Sequence, residues 1–142
     1  MPADLAYDYA VVRVVPRVER GEFVNVGVIL SCPEAHFLDA CIALDEQRLR
    51  VFAPDVDLDV VRANLAIIPT VCAGGPGAGP IGALPPRQRF HWLVAPRSTM
   101  IQMSPVHTGR TADPAGTLRH LLVRMVGSDP TTRPPQSPAL PP

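Results

Sequence analysis

Lysine is absent from the chain, and all 13 basic residues are arginines. Without a lysine amine the protein cannot form a Schiff base with a carbonyl substrate or supply the lysine of a phosphate-binding loop. Nuclease sites that need a lysine beside their acidic residues are excluded for the same reason. The 13 acidic residues balance the arginines, so the formal net charge is zero. We therefore expect no chain-wide electrostatic attraction for nucleic acid or anionic membranes.

Long apolar runs and paired cysteines are also missing. No apolar segment reaches the roughly 20 residues that a membrane-spanning helix needs, and the N-terminus has no basic start followed by an apolar stretch. Cys32, Cys41 and Cys72 are odd in number and show no Cys-x-x-Cys spacing. We therefore expect a cytoplasmic protein without a membrane partner, whose thiols are reduced and mostly buried.

Motifs for metals, cofactors and nucleic acid are lacking as well. Cys32 and His36 offer only two metal ligands at close spacing, and the aspartates of residues 55–59 lack the downstream glycine and glutamate of a calcium loop. The glycines of residues 74–79 precede prolines instead of a helix. We expect no metal and no cofactor, and the absence of a recognition helix argues against a nucleic-acid partner.

The pattern of apolar residues predicts strands alternating with helices. Predicted strands cover residues 7–15, 23–30, 36–44, 90–95 and 100–103. Helices are predicted to begin at the capping residues Asp45, Asp57 and Asp113, the second ending between Ile68 and Ala73 because of Pro69. Residues 73–89 are predicted to form a long Gly/Pro loop.

These elements predict one α+β domain over residues 1–127. A chain of 142 residues, 46% of them hydrophobic, is long enough for one such core. Short connections favour a mainly antiparallel sheet of about five strands, with two or three helices packed on one face. Residues 128–142 are predicted to be a disordered, proline-rich tail.

The first two strands break the apolar pattern in the middle of the sheet. If Val15 lies opposite Phe23 in a hairpin, Arg13 lies opposite Asn25 and Val11 lies opposite Gly27. One face is then wholly apolar, whereas the Arg13 face is mixed. An Arg–Asn pair beside a glycine forms a shallow polar notch, and glycine in a strand often marks a close approach by a backbone or a ligand.

Charges on and beside this hairpin allow two interpretations. Guanidinium groups bind phosphate or carboxylate bidentately, so Arg13, Arg17 and Arg20 could hold an anion, oriented by the acidic residues of the loop. Alternatively, Arg13 bonds one of those acidic residues to pin the loop, while Gly27 accommodates a bulge. Arg97, in a second predicted hairpin turn, and His107 would line the same end of the sheet. The candidate polar or anion-binding site comprises Arg13, Arg17, Glu19, Arg20, Glu22, Asn25, Gly27, Arg97 and His107. No catalytic residue can be assigned.

Four segments carry a family resemblance: YAVVRVVPRVERGEFVNVGVIL (residues 9–30), VCAGGPGAGPIGA (71–83), FHWLVAPRST (90–99) and SPVHT (104–108). They resemble the bacterial DUF3037 family, a domain of unknown function, and the resemblance covers nearly everything from residue 7 to residue 126. It supplies no activity or catalytic residues. The occurrence of family members near kinase-like genes of a toxin–antitoxin type implies a protein partner.

Two functions remain open. The first is a protein-interaction or regulatory module that acts through the mixed face or an open edge of the sheet. The second is an enzyme that handles phosphate or nucleotides, with the four candidate arginines on the anion and Glu19, Glu22 or His107 as acid or base. The second requires these side chains to converge around one cleft that holds a small anionic ligand.

Overall fold

The computed structural model describes residues 4–97 and 99–127. Its centre is an antiparallel sheet of five strands. In chain order the strands are β1 (Leu5–Val14), β2 (Val24–Cys32), β3 (Phe37–Ile42), β4 (Ile101–Met103) and β5 (His107–Thr111). β2 lies between β1 and β3, and the other side of β1 pairs with both β4 and β5. The predicted α+β class and five-stranded antiparallel sheet are confirmed.

Helices within the described residues are more numerous than the two or three predicted. They are α1 (Glu46–Phe52), α2 (Leu58–Ala73), α3 (Pro86–Val94) and α4 (Pro114–Met125), with an eight-residue 3-10 helix (Pro76–Ala83) as a fifth. Two single 3-10 turns follow β1 and β2. The predicted caps are confirmed, because the Asp45, Asp57 and Asp113 carboxylates each accept a backbone N–H of their helix.

Residues 90–95 do not form the predicted strand, and they belong to α3 and its C-terminal cap. Their aromatic and β-branched composition favours a strand, but two prolines at positions 85 and 86 start a helix, since proline suits the first helical position. Phe90 and Leu93 are then buried three residues apart, as on one side of a helix. The predicted loop of residues 73–89 is likewise wrong, because the 3-10 helix and the start of α3 occupy most of it.

The register of β1 and β2 follows the prediction only near the hairpin loop. Arg13 lies opposite Asn25, but the register then shifts and Gly27 lies opposite Val12 instead of Val11. Val26 is the extra residue, so the strand contains a β-bulge, one of the two interpretations given to Gly27. Gly27 therefore lies on the face away from Arg13, where an added Cβ would come 2.6 Å from the Cys41 carbonyl oxygen of β3.

Helices cover both faces of the sheet, so the prediction of one covered face is wrong. On one face, residues such as Val12, Val14 and Ile29 pack against α1, α2 and α3. On the other, Val28, Leu30 and Cys32 pack against Leu118, Leu121 and Leu122 of α4. The bulge explains why the second face is also covered. It turns Val28, Leu30 and Cys32 toward the same face as Arg13, so this end of that face is apolar and can bind α4.

No single helix in the described part of the chain is long and apolar enough to cross a membrane. α2 and the following 3-10 helix reach that length and hydropathy only together, with a bend of 61° between them. The predicted tail of residues 128–142 lies outside the described residues.

Candidate functional site

Arg13 is held against an aromatic ring, and it does not pin the hairpin loop. Its guanidinium carbon lies 4.0 Å from the centre of the Phe23 ring, a cation–π contact. Its Nε is buried and has no hydrogen-bond partner among the described residues. The loop charges pair elsewhere, Arg20 with Glu22 and Arg17 with Asp55. The interpretation that Arg13 bonds Glu19 or Glu22 is therefore wrong, because its guanidinium lies over the Phe23 ring.

Asn25 connects the sheet to α4. Its Nδ2 donates to the Met125 carbonyl at 3.1 Å, in the last turn of the helix. Its Oδ1 is buried and, within the described residues, unpaired. A buried donor of Arg13 and a buried acceptor of Asn25 thus occupy paired positions of one face.

The hairpin loop forms a second, separate polar feature. A cavity of about 230 Å³ is lined by Arg17, Arg20 and Glu22 and by residues 52–54 at the C-terminal end of α1. Arg20 Nε lies 3.0 Å from a Glu22 oxygen, and Arg17 lies 3.3 Å from Asp55. Glu19 is exposed in the 3-10 turn. Exposed ion pairs of this kind contribute about 0–1 kcal/mol each.

Arg97 forms hydrogen bonds with carbonyl groups at the C-terminus of α3. Its Nη1 donates to the Leu93 carbonyl at 3.0 Å and its Nη2 donates to the Trp92 carbonyl at 2.7 Å. Its guanidinium carbon also lies 4.6 Å from the centre of the Trp92 ring. A cation at this position satisfies the last carbonyls of a helix. Arg97 thus follows a helix, and the predicted hairpin turn is wrong.

His107 lies apart from the loop. It is exposed at the start of β5, opposite Tyr9, with the two rings 5.3 Å apart. Tyr9 is four residues from Arg13 along β1, about 13 Å at the rise of a strand. The structure therefore brings Arg13 to Asn25, and Arg17 to Arg20 and Glu22. It places Gly27, Arg97 and His107 elsewhere, so the described residues do not gather the four candidate arginines around one cleft.

Two arginines of α3 were missed by the sequence prediction. Arg87 forms an ion pair with Asp8, and its Nη1 donates to the Ser31 hydroxyl at 2.9 Å. Arg89, only 8% exposed, donates to the carbonyls of Val71, Cys72 and Leu84. Both residues lie in the segment that was predicted to be a loop, so they were not considered as site residues. The proline pair at positions 85–86 was the one signal that could have placed them on a helix.

A further feature that the sequence did not indicate is an apolar surface on α2 and α3. Two hollows of about 250 and 360 Å³ adjoin there, and both are lined by Ile67 of α2 and Trp92 of α3. These side chains are 48% and 38% exposed. We call the patch formed by Ala63, Ala66, Ile67, Thr70 and Trp92 the Ile67–Trp92 surface.

Two arginines border the Ile67–Trp92 surface, and one of them is paired with carboxylates. Arg62 of α2 bonds Glu46 at 2.7 Å and Asp59 at 2.6 Å. The hydrogen bond from Arg62 lowers the pKa of Glu46, so this carboxylate stays ionised further into acid. Arg97 donates to neutral carbonyls of α3, so its positive charge remains, and it lines the smaller hollow beside Trp92. The surface is therefore apolar at Ile67 and Trp92 and charged at one edge.

Two of the three thiols lack the properties of a nucleophile. Cys32, Cys41 and Cys72 are free, and the first and last are buried. Burial raises the pKa of Cys72 to about 12, and burial together with Asp39 raises the pKa of Cys41. Both thiols are therefore protonated at neutral pH. Nowhere in the described ranges do three or more His, Cys, Asp or Glu residues cluster as metal ligands.

Comparison with known proteins gives one match. The profile of a family described as "Protein of unknown function (DUF3037)" matches residues 9–126. No curated protein and no solved structure matches the chain.

Proposed function

We propose that this chain, which belongs to the DUF3037 family, is a protein-interaction module whose contact surface is the Ile67–Trp92 surface. The observation that carries the proposal is the exposure of Ile67 and Trp92 beside two adjoining hollows. Large apolar side chains grouped around hollows are typical of protein contact sites. Tryptophan is also among the residues that contribute most to binding energy at interfaces.

The other surfaces named by the sequence are less suited to a partner. α4 packs on the mixed face of the sheet. The Ala43 N–H donates to the Val26 carbonyl of the neighbouring strand β2. Because the N–H groups of a strand point alternately to its two sides, the Ala40 N–H points to the outer edge of β3, away from β2. Asp39 Oδ1 accepts a hydrogen bond from this N–H at 2.8 Å. The carboxylate thus occupies an open donor and adds charge, a common protection of edge strands.

Affinity capture tests the proposal. The immobilised chain is used as bait for proteins of the cells of origin, and a purified kinase of the toxin–antitoxin type is the first defined candidate. Ile67→Glu places a charge on the surface, and Val123→Glu is the matched control on α4, where Val123 is 44% exposed. We expect Ile67→Glu to lower capture about tenfold or more, equivalent to about 1.4 kcal/mol or more, and Val123→Glu to retain it. Equal capture by the two variants would contradict the proposal.

A second candidate function, binding of a small phosphate-containing anion, is favoured by the loop cavity. Arg17, Arg20 and Glu22 meet there beside Phe52. An anion would have to displace the carboxylates of Asp55 and Glu22 from the two guanidinium groups. Calorimetric titration with inorganic phosphate and with ATP tests this candidate. Binding that is lost in Arg17→Ala and Arg20→Ala supports it, and the absence of heat at millimolar ligand rejects it.

A further inference from the structure

We propose that the groove between α2 and α3 binds a small amphipathic anion, a medium-chain alkyl carboxylate, with its carboxylate at Arg97 in the smaller hollow and its alkyl chain in the larger one. The groove consists of the two hollows, which adjoin at Ile67 and Trp92. The inference goes beyond the interaction role proposed above and does not depend on it.

The difference in polarity between the two hollows is the first argument. Three polar residues, Asn64, Arg97 and Thr99, line the smaller hollow together with apolar ones. Among the described residues, none that lines the larger hollow is charged, and the Thr70 hydroxyl there donates to the Ala66 carbonyl at 3.0 Å. The groove is therefore cationic at one end and apolar at the other. A few polar groups beside an apolar lining are typical of small-molecule sites, and this arrangement suits an amphipathic anion.

The hydrogen-bond donors that Arg97 retains are the second argument. A guanidinium has five N–H donors. Within the described part of the chain, three of them donate to carbonyl groups, those of Trp92, Leu93 and Ala95. These acceptors are uncharged, and no acidic residue of the described ranges lines either hollow. The remaining donors can therefore form charge-assisted hydrogen bonds to a carboxylate, and the exposed Asn64 amide is a further donor in the same hollow.

The position of Arg97 also determines the sign of the ligand's charge. Its guanidinium carbon lies 4.6 Å from the centre of the Trp92 ring, so the indole, which would otherwise attract a cation, already holds one. A second cation in the smaller hollow would be repelled by the Arg97 charge. Charge complementarity therefore selects an anionic head group.

The size of the groove sets the length of the alkyl chain. The hollows have volumes of about 250 and 360 Å³, and together they lie within the roughly 300–1,000 Å³ of small-molecule sites. The larger hollow is lined by α2 from Ala63 to Val71, about 12 Å at the rise of a helix. An extended medium-chain alkyl group, such as that of decanoate, has a similar length. Its binding would remove the exposed parts of Ile67 and Trp92 from water, which is favourable.

Tryptophan fluorescence of the full chain tests the inference, because Trp92 is its single tryptophan and lies in the groove. We expect decanoate, below the concentration at which it forms micelles, to change the Trp92 emission with a Kd on the order of 0.1 mM. Affinity should rise by up to about fourfold per added methylene from hexanoate to decanoate, since each methylene is buried in the larger hollow. Decyltrimethylammonium has the same alkyl chain and the opposite charge, and it should bind at least about tenfold more weakly.

Two variants test the two ends of the groove. Arg97→Gln removes the charge and should lower the affinity for decanoate about tenfold or more. Arg124→Gln is the matched control, because it removes an exposed arginine from the last turn of α4, and it should retain the affinity. Ala66→Leu fills the larger hollow with a strong helix former and should abolish the dependence on chain length. Far-UV circular dichroism confirms that each variant is folded.

Trp92 emission that decanoate leaves unchanged up to millimolar concentration overturns the inference, as does equal affinity for decanoate in Arg97→Gln and Arg124→Gln. If Arg97→Gln does not fold, the two ligands of opposite charge decide on the unmodified chain, and equal affinity for them rejects the anion site. The proposed function fails separately, because capture with Ile67→Glu is measured without decanoate. Capture that is lost in Ile67→Glu, in a chain that does not bind decanoate, rejects the ligand and leaves the interaction role.

Discussion

Arg13 and Asn25 lie directly opposite each other on β1 and β2, and each contains one buried polar atom without a hydrogen-bond partner among the described residues. The unpaired atoms are a donor, Nε, and an acceptor, Oδ1. Within the described part of the chain, the Asn25 side chain makes a long-range hydrogen bond, through Nδ2 to α4, and the Arg13 side chain makes none. The two residues therefore contribute differently to stability, although they occupy one pair of the ladder.

This difference can be measured by substitution. Asn25→Ala removes the hydrogen bond to the Met125 carbonyl and leaves that acceptor unpaired, which should lower the free energy of unfolding by about 1–2 kcal/mol. Arg13→Met loses the guanidinium contact with Phe23 and removes a buried donor that has no partner among the described residues, so it should cost less than about 1 kcal/mol. Urea unfolding gives both values. An Arg13→Met cost equal to that of Asn25→Ala would mean that the guanidinium has a partner.

Gly27→Ala should destabilise the sheet by about 1–3 kcal/mol, the usual cost of forcing an extra methyl group into a packed site. The new Cβ would lie 2.6 Å from the Cys41 carbonyl oxygen and 2.7 Å from Ile42 Cδ1. Gly77→Ala is the matched control, because nothing lies within 4 Å of a Cβ built there. Its free energy of unfolding should change by less than about 0.5 kcal/mol. Thermal and urea unfolding measure both variants. An equal loss of stability in Gly27→Ala and Gly77→Ala would contradict the close contact between Gly27 and β3.

The ion pair of Arg87 and Asp8 should stabilise the protein more than the pair of Arg17 and Asp55. The Asp8 side chain is only 17% exposed, whereas those of the loop pair are 52% and 76% exposed. Arg87→Met leaves a mostly buried carboxylate and the Ser31 hydroxyl without their donor, at an expected cost of about 1–2 kcal/mol. Arg17→Met should cost less than about 0.5 kcal/mol. Comparable costs in urea unfolding would contradict this ranking.

Alkaline pH should destabilise the protein through Cys72. Burial raises the pKa of its thiol from 9.0 to about 12. The stabilising contribution of the neutral buried thiol is complete below the unfolded pKa of about 9 and is lost as pH rises toward 12. From pH 8 to pH 10 the free energy of unfolding should therefore fall by about 1 kcal/mol more in the unmodified chain than in Cys72→Ala. Equal pH slopes for the two proteins would show that the thiol ionises normally in the folded state.

Part of the fold could be predicted because it depends on local chemistry. Asp45, Asp57 and Asp113 cap helices by hydrogen bonds to residues next to them in the sequence. The Arg13–Asn25 pairing follows from the short hairpin loop. The position of Gly27 could not be predicted, because the bulge at Val26 depends on packing against helices that come much later in the chain.

The candidate site was predicted less well than the fold. Arg17, Arg20 and Glu22 meet because they share one short loop. Arg97 binds α3, and the sequence signal for that helix was outweighed by the strand-like composition around Trp92. The Ile67–Trp92 surface could not be predicted, because the exposure of an apolar residue depends on which elements pack beside it. Helical spacing from Val61 and Leu65 places Ile68 on the buried side of α2 and leaves Ile67 off it, but it does not show whether another element covers Ile67.

The bulge at Val26 also determines how the protein unfolds. Because the strand shifts face at this residue, β2 contributes Val24 and Val26 to the core under α2, and Val28, Leu30 and Cys32 to the core under α4. Neither core can form until the register of β2 is fixed, and loss of that register exposes both. The two layers should therefore lose their structure in one cooperative transition, despite lying on opposite sides of the sheet.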